Sequence, residues 1–287
     1  MKYLYRNLRL SLVIITLFVG QILLASDIQT KEAFQQEKSG KDSQVSDLWI
    51  TIGKTKVFGQ VSMPKGEGKK KVAIISHGFN GSFYFGHAYF KTLNDLGYIV
   101  YTFDFPCGSN YSRTDKNTMN MSVIDEKNVL KYIVRYFKKR KDVDSKNIVL
   151  MGESQGGLVA ALAAAELKNK ISRLILAYPA LCIPDNWNER YPHDTDIPDT
   201  TNLWNVRLGK RYFKEVRKLK LYPALTRYQG KVLIIHGAKD PIVPLSYSEE
   251  AYKRYKNAQL HVLPTAGHGF NPEECKEANK LIYDFLR

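Results

Sequence analysis

The chain has 287 residues, of which 44% are hydrophobic and 25% are charged, and these ordinary values exclude a disordered or fibrous protein. Its 43 Lys and Arg outnumber its 28 Asp and Glu, which gives a formal net charge of +15. No basic run coincides with a nucleic-acid recognition motif, so we assign the excess charge to solvated surface and predict no nucleic-acid partner.

The first 26 residues have the pattern of an export signal. An apolar run spans residues 10–25 and follows three basic residues, Lys2, Arg6 and Arg9. The run is shorter than the roughly 20 residues that a membrane span needs. An uncleaved N-terminal membrane anchor is the alternative, since the run is long for a signal peptide. We predict a secreted or periplasmic protein with no stable membrane partner beyond this segment.

Residues 27–46 are rich in Gln, Lys, Ser and Asp, which is typical of a tether, so we expect one folded domain over residues 47–287. Residues 48–52 and 56–62 predict an antiparallel hairpin. After it, apolar runs without alternation indicate parallel strands that are buried on both faces, at 72–76, 98–103, 147–151, 174–177, 231–235 and 260–263. Segments of helical period separate these strands, at 88–96, 123–139, 156–167, 247–257 and 272–285. The sequence therefore predicts an α/β fold with a mostly parallel sheet flanked by helices.

The alternation of strands and helices stops in one long segment before residue 231. Residues 179–228 contain Trp187, Trp204, five prolines and many Asp and Tyr residues, and a linker would be poorer in aromatic residues. We interpret residues 180–228 as an inserted lid over the carboxyl ends of the strands, where ligands bind in open α/β sheets.

A nucleophile motif lies between a predicted strand and a predicted helix. The letters GESQG at residues 152–156 fit G-x-S-x-G, the motif of a tight turn that holds a serine in a strained conformation. Glycines on both sides let neighbouring chain segments pass close to the turn. We therefore predict that Ser154 is an exposed nucleophile.

A serine hydroxyl needs a base to remove its proton and a third group to orient that base. Asp240 follows one predicted strand and His268 follows the next, in the chain order that a Ser, acid, His triad requires in this fold. Asp240 has the alternative of an ordinary turn residue before proline. His236 and His261 compete with His268, but we interpret them as core or edge residues because they lie within or at the end of strands.

An oxyanion hole needs two donors that are in place before the serine attacks. We predict that one is the backbone N–H of Gln155, the residue after the nucleophile. The other is expected in the loop SHGFNG at residues 76–81, where we predict the N–H of Phe79. We interpret His77 as a support for this loop through hydrogen bonds.

The three cysteines, Cys107, Cys182 and Cys275, are an odd number and are widely spaced, which excludes a disulfide-built domain. Export permits one bridge between Cys107 and Cys182, and the sequence leaves that pairing open. Neither metal-ligand spacing nor a phosphate-binding glycine loop is present in the sequence, so we predict no metal and no cofactor.

From residue 47 to 287 the chain resembles the α/β-hydrolase superfamily, and within it the bacterial cinnamoyl (feruloyl) esterases. The residues that carry the resemblance are HGF-x-G at 77–81, FDF at 103–105, G-x-SQGG at 152–157 and the lid. The resemblance implies hydrolysis of hydroxycinnamate esters, either small molecules or feruloyl groups on plant polysaccharide, with the lid holding the phenolic ring.

The same resemblance implies roles for two lid residues. Asp185 matches the carboxylate that bonds the phenolic hydroxyl, and Tyr212 matches a lid tyrosine. The alternatives are a solvated turn residue for Asp185 and lid packing for Tyr212. Residues 106–111, PCGSNY, depart from the small Gly-rich and Ser-rich turn that is usual there, which puts the acyl-group preference in doubt.

The sequence thus predicts a serine carboxylic ester hydrolase that works through an acyl-enzyme. A serine peptidase or a general acyl esterase or lipase of the same fold is the first alternative. A non-catalytic scaffold that binds ligand is the second.

Overall fold

The computed structural model describes residues 44–287. The predicted export signal and nearly all of the predicted tether lie outside these residues, so both stay predictions. The first strand begins at Gln44, three residues before the expected domain start, because Gln44 still pairs with Met63 on the neighbouring strand.

Within residues 44–287 an eight-stranded sheet occupies the centre of the fold. Its strands are β1 Gln44–Ile52, β2 Thr55–Met63, β3 Lys70–Ser76, β4 Tyr98–Phe103, β5 Val143–Glu153, β6 Arg173–Ala177, β9 Lys231–Gly237 and β10 Ala258–Leu263. They lie in the order β1-β2-β4-β3-β5-β6-β9-β10. Strand β2 runs antiparallel to both of its neighbours, and the pairs from β4 to β10 are parallel. The mostly parallel sheet with an antiparallel start is as predicted.

Helices cover both faces of the sheet and enclose two apolar cores. The helices are α1 Phe90–Asp95, α2 Val123–Lys139, α3 Gln155–Leu167, α4 Ile183–Arg190, α5 Lys210–Val216, α6 Leu221–Leu225, α7 Leu245–Arg254 and α8 Pro272–Leu286. The larger core lies under α2 and α3 and continues into the lid, whereas the smaller lies under α1 and α8. None of the helices in the described part of the chain has the length and apolar character needed to cross a bilayer.

The predicted lid segment lies between β6 and β9 and has secondary structure of its own. It contains α4, α5, α6 and a separate hairpin of β7 Thr200–Leu203 and β8 Val206–Gly209. Trp187 of α4 packs edge-on against Phe213 of α5 at 4.6 Å between ring centroids. Both rings belong to the larger core, so the lid is packed onto the sheet domain by apolar burial.

Candidate active site

Ser154 lies in a tight turn between β5 and α3. Its backbone has φ 51° and ψ −121°, in the left-handed region that non-glycine residues rarely adopt. A Cβ on Gly152 would lie 2.2 Å from the Gly156 carbonyl oxygen, and one on Gly156 would lie 2.3 Å from the Ser76 carbonyl oxygen. Both flanking positions therefore exclude any side chain, and the turn presents the hydroxyl of Ser154 at the carboxyl edge of the sheet.

The three predicted triad residues meet at this edge. Ser154 Oγ lies 2.8 Å from His268 Nε2, and His268 Nδ1 lies 2.8 Å from Asp240 Oδ2. Asp240 and His268 come from the loops after β9 and β10, neighbouring parallel strands whose carboxyl ends meet at the same edge. When Nδ1–H donates to Asp240, Nε2 carries a lone pair and accepts the serine proton, as a general base must.

The Asp240 carboxylate is saturated with donors. Its Oδ1 accepts the N–H groups of Ile242 at 2.9 Å and Val243 at 2.8 Å. Its Oδ2 lies 3.3 Å from His236 Nε2 as well as beside His268. Burial raises the pKa of Asp240, but the hydrogen bonds from His236 and His268 outweigh burial and hold it well below its usual range. Asp240 is therefore a carboxylate that can stabilise a protonated His268.

Sequence reasoning missed the contact between His236 and Asp240. His236 is fully buried near the end of β9, as expected of a core residue, and its Nε2 also contacts the Val243 carbonyl oxygen at 3.0 Å. Its Nδ1 lies 2.7 Å from the Ser248 hydroxyl. The spacing of four residues between His236 and Asp240, across the end of a strand, was the only available signal.

The two predicted oxyanion donors belong to two segments that adjoin Ser154, the start of α3 and the loop after β3. Gln155 is the first residue of α3, so its N–H has no acceptor in the helix and lies at the positive end of the helix dipole. A Cβ on Gly78 would lie 3.1 Å from Ser154 Cβ, so the loop with Phe79 passes directly over the nucleophile. The next two N–H groups of that loop, of Asn80 and Gly81, bond the carbonyl oxygens of Gly108 and Gly78. The hydrogen bonds of the described residues do not use the Phe79 N–H.

His77 holds this loop through both ring nitrogens. Its Nε2 accepts the Phe105 N–H at 3.0 Å, which places the ring proton on Nδ1, and Nδ1 donates to the Gly78 carbonyl oxygen at 2.7 Å. Burial lowers the pKa of His77, so the ring stays neutral and keeps both bonds. The supporting role predicted from the sequence agrees with these contacts.

The two lid residues lie in different environments. Asp185 is exposed in the first turn of α4, and its Oδ2 accepts the Tyr247 hydroxyl at 3.1 Å. Tyr212 on α5 is 2% exposed, and its hydroxyl donates to Gln155 Oε1 at 2.8 Å. Tyr212 thus contacts the residue beside the nucleophile, whereas Asp185 lies at the lid surface with a carboxylate open to further donors.

A buried carboxyl group behind the triad was also missed from the sequence. Glu153 is 3% exposed and accepts the hydroxyls of Tyr178 at 2.7 Å and Tyr89 at 3.0 Å. The Tyr178 ring packs edge-on against His268, with ring centroids 5.1 Å apart. Burial raises the pKa of Glu153 to about 7, against the lowering effect of both tyrosine bonds. A glutamate at the end of an apolar strand, directly before Ser154, was the sequence signal.

All three cysteines are free thiols, so the bridge between Cys107 and Cys182 that the sequence left open does not form in the structure. Cys182 is buried beside Val243, and burial raises the pKa of its thiol to about 11. Cys107 lies in the loop after β4, where burial and the neighbouring Asp115 raise its pKa to about 12. Neither thiol is a thiolate at neutral pH.

A family model described as the prolyl oligopeptidase family matches residues 83–287, which include the serine turn, the lid and both triad loops. The chain belongs to this family. Members of the family and the solved structures most like this chain share the α/β-hydrolase fold, which confirms the predicted fold class. The human serine hydrolase BPHL is 27% identical over 167 residues, which are 51% of this chain and 57% of BPHL. The chain thus spans little more than half the length of that relative.

Among solved structures, Est1E from Butyrivibrio proteoclasticus with bound ferulic acid is 27% identical and has a TM-score of 0.76. The similarity covers 83% of this chain and 97% of Est1E. The esterase Pf2001 of Pyrococcus furiosus is 22% identical with a TM-score of 0.63, covers 85% of this chain and 92% of its own, and so supports the fold alone.

Proposed function

We propose that the protein is a serine carboxylic ester hydrolase. The observation that carries the proposal is the continuous hydrogen-bond chain from Ser154 through His268 to Asp240, with distances of 2.8 Å at both links. These are the contacts that activate a serine for attack on an acyl carbon. A scaffold that only binds ligand has no need of this strained turn and oriented imidazole.

The proposed reaction has two halves that share one set of groups. Ser154 Oγ attacks the ester carbonyl while His268 Nε2 takes its proton, and the N–H groups of Phe79 and Gln155 stabilise the oxyanion. His268 then returns the proton to the leaving alcohol, which leaves an acyl-enzyme. Water attacks the acyl carbon with His268 again as base, and Ser154 is regenerated with release of the acid.

We propose hydroxycinnamoyl esters, of the feruloyl type, as the substrate class. The likeness to Est1E, whose structure contains ferulic acid, supports this choice. In the proposed complex the exposed carboxylate of Asp185 accepts the phenolic hydroxyl. The Tyr212 hydroxyl donates its proton to Gln155, so towards the phenolic hydroxyl of the substrate it can only accept a hydrogen bond.

A serine peptidase is the second candidate, because the matching family model is named for an oligopeptidase. Amide and ester hydrolysis use the same triad, so the geometry of Ser154 and His268 does not separate the two. Turnover of methyl ferulate, an aminoacyl p-nitroanilide and a long-chain acyl ester, measured side by side, separates ferulate esterase, peptidase and lipase.

The test of the serine mechanism combines labelling with substitution. We expect a fluorophosphonate probe to label the wild-type protein at Ser154, and Ser154→Ala to lose labelling and to lower kcat by several orders of magnitude. The melting temperature of Ser154→Ala should match that of wild type, since the hydroxyl contributes to chemistry and not to packing. Retention of near-wild-type esterase activity in Ser154→Ala, or an unlabelled wild-type protein, would overturn the proposal.

A further inference from the structure

Glu126 is a buried carboxyl group that the mechanism above does not use. It lies in the first turn of α2 and is 2% exposed. Gln155 Nε2 donates to both of its oxygens, at 3.2 Å to Oε1 and 3.0 Å to Oε2. The other end of the Gln155 amide, Oε1, accepts the Tyr212 hydroxyl at 2.8 Å. The side chain next to the nucleophile is therefore held at both ends, by α2 and by lid helix α5.

The same carboxyl group also contacts the loop after β4, which supports the segment of Phe79, the second oxyanion donor. A Cβ on Gly108 would lie 3.1 Å from Glu126 Oε1, so the loop after β4 rests on the carboxyl group. The Gly108 carbonyl oxygen accepts the N–H of Asn80 at 3.2 Å, directly after Phe79 in the chain. Glu126 thus contacts one segment that fixes Gln155 and another that fixes Phe79.

Residues next to Glu126 at the start of α2 also bond lid helix α5. Arg211 of α5 donates to both oxygens of Asp125, at 2.8 and 3.1 Å. The Ser122 hydroxyl donates to Glu215 on the same lid helix while its oxygen caps α2 by accepting the Asp125 N–H. These contacts fix the position of Glu126 relative to both the lid and the nucleophile turn.

We propose that Glu126 is a positioning residue of the oxyanion hole, which aligns the Gln155 and Phe79 N–H groups and links both to lid helix α5. The inference rests on the proposed role of Ser154 as nucleophile. A misplaced donor costs transition-state stabilisation and little ground-state binding, so the effect belongs in kcat.

The charge state of Glu126 gives this role a pH signature. Burial raises its pKa to about 8, with the bond from Gln155 lowering it and the charge of Asp125 raising it further. The other titratable groups that face it are Cys107 on the β4 loop and Tyr212 on α5, and the pKa values of both are raised beyond the neutral range. Arg211 and Glu215 lie towards the surface end of the junction. Between pH 7 and 9 Glu126 becomes negative, and a negative charge beside the hole opposes the oxyanion.

The test measures kcat and KM for p-nitrophenyl acetate from pH 6 to 9.5 in the full chain. We expect Glu126→Ala to lower kcat on the order of 10-fold to 100-fold with less than about a threefold change in KM, because Gln155 loses its acceptor. Glu126→Gln keeps an acceptor oxygen and stays neutral, so its kcat at pH 7 should lie within about threefold of wild type. In wild type we expect kcat to decline between pH 7 and 9 as Glu126 becomes negative. In Glu126→Gln this alkaline decline should be absent. Glu166→Gln is the matched control and should keep that decline, since its exposed carboxylate bonds Lys127 and Lys131 of α2 and contacts neither oxyanion donor.

The outcomes separate the inference from the proposed function. Wild-type kcat in Glu126→Ala, or an unchanged alkaline decline in Glu126→Gln, overturns the inference. If Glu126→Ala melts at a much lower temperature than wild type, its low kcat does not test the inference, and the pH profile of kcat in Glu126→Gln is the test. If wild type hydrolyses no ester but reacts with fluorophosphonate at Ser154, the rate of labelling replaces kcat in the same comparison of variants across pH. An unreactive Ser154 contradicts both the proposed function and the inference.

Discussion

At the scale of single residues, the site depends on keeping one carboxylate charged and one imidazole in one tautomer. Two backbone N–H groups and two histidines surround Asp240, which stabilises its anionic form despite full burial. The anion in turn keeps the His268 proton on Nδ1 and leaves Nε2 free for Ser154.

We expect Asp240→Asn to lower kcat on the order of 10⁴-fold with a smaller change in KM. The amide group donates to His268 Nδ1, which moves the ring proton to Nε2, where it blocks proton transfer from Ser154. Steady-state kinetics on a simple acyl ester check this, and circular dichroism confirms that the variant is folded. A loss of less than tenfold would show that Asp240 does not orient the base.

Some residues of the site were predictable because their placement follows from local order. Ser154 directly follows β5, while Asp240 and His268 lie in the loops after β9 and after the edge strand β10, and the carboxyl ends of such parallel strands meet at one edge. Glu126 and Glu153 were not predictable, since their contacts come from partners elsewhere in the chain. Glu126 touches Gln155 across 29 sequence positions, and Glu153 touches Tyr89 across 64.

At the scale of elements, prediction worked where both ends of an element carry local signals. The predicted bounds 123–139 equal those of α2, because Ser122 caps its start and Lys138 and Lys139 favour its last turn. The predicted helix at 88–96 was wrong in its first residues, where a 3₁₀ helix over Phe83–Tyr89 precedes α1. Its rings pack on neighbouring elements, Phe83 on Phe58 of β2 and His87 on Phe90 of α1, and periodicity does not report such contacts.

The lid was predicted as an insertion but without its helices and hairpin. The hairpin turns at Trp204 and Asn205, which have φ values of 48° and 62°, and such values are uncommon outside glycine. The Trp204 ring packs against Phe79 of the oxyanion loop, with centroids 5.8 Å apart. The turn is thus supported by a tertiary contact that no local pattern encodes.

A substitution of Asp185 in lid helix α4 tests the proposed substrate class. If Asp185 accepts the phenolic hydroxyl, Asp185→Ala should lower kcat/KM for methyl ferulate at least tenfold more than for a ring ester that lacks the hydroxyl. The triad treats both esters alike, so the ratio isolates the lid contact. Glu189→Ala on the same helix is the control and should leave the ratio unchanged. Equal losses on both substrates would indicate lid disruption, and an unmoved ratio would remove the feruloyl assignment.

At the scale of the whole molecule, the chain combines a basic surface with neutral ionisable groups inside. Among residues 44–287, burial raises the pKa of Glu153 to about 7 and of Glu126 to about 8. Burial acts in the opposite direction on two histidines, lowering the pKa of His87 to about 4 and that of His77 below its ordinary value of 6.5. Each of these four groups makes the free energy of unfolding depend on pH near neutrality.

The two carboxyl groups and the two histidines affect the free energy of unfolding over different pH ranges. Between pH 4.5 and 6.5 the folded carboxyls hold protons that the unfolded chain has lost, while unfolded histidines hold protons that the folded chain lacks, so the two effects oppose each other. At pH 6.5 the unfolded histidines are half protonated, and by about pH 7.5 they are neutral in both states. From pH 6.5 to pH 8 the two folded carboxyls hold more protons than the unfolded histidines do, so the free energy of unfolding falls as pH rises.

We therefore expect urea unfolding of the full chain to give a lower free energy at pH 8.0 than at pH 6.5, by up to about 1.4 kcal/mol per pH unit for each carboxyl that is still protonated. Glu153→Gln and Glu126→Gln should each reduce the difference, because an amide has no proton to lose in this range. Glu273→Gln, at an exposed ion pair with Lys276, should leave it intact. If both buried substitutions together leave the full difference, the two carboxyl groups are already ionised in the folded chain below pH 6.5.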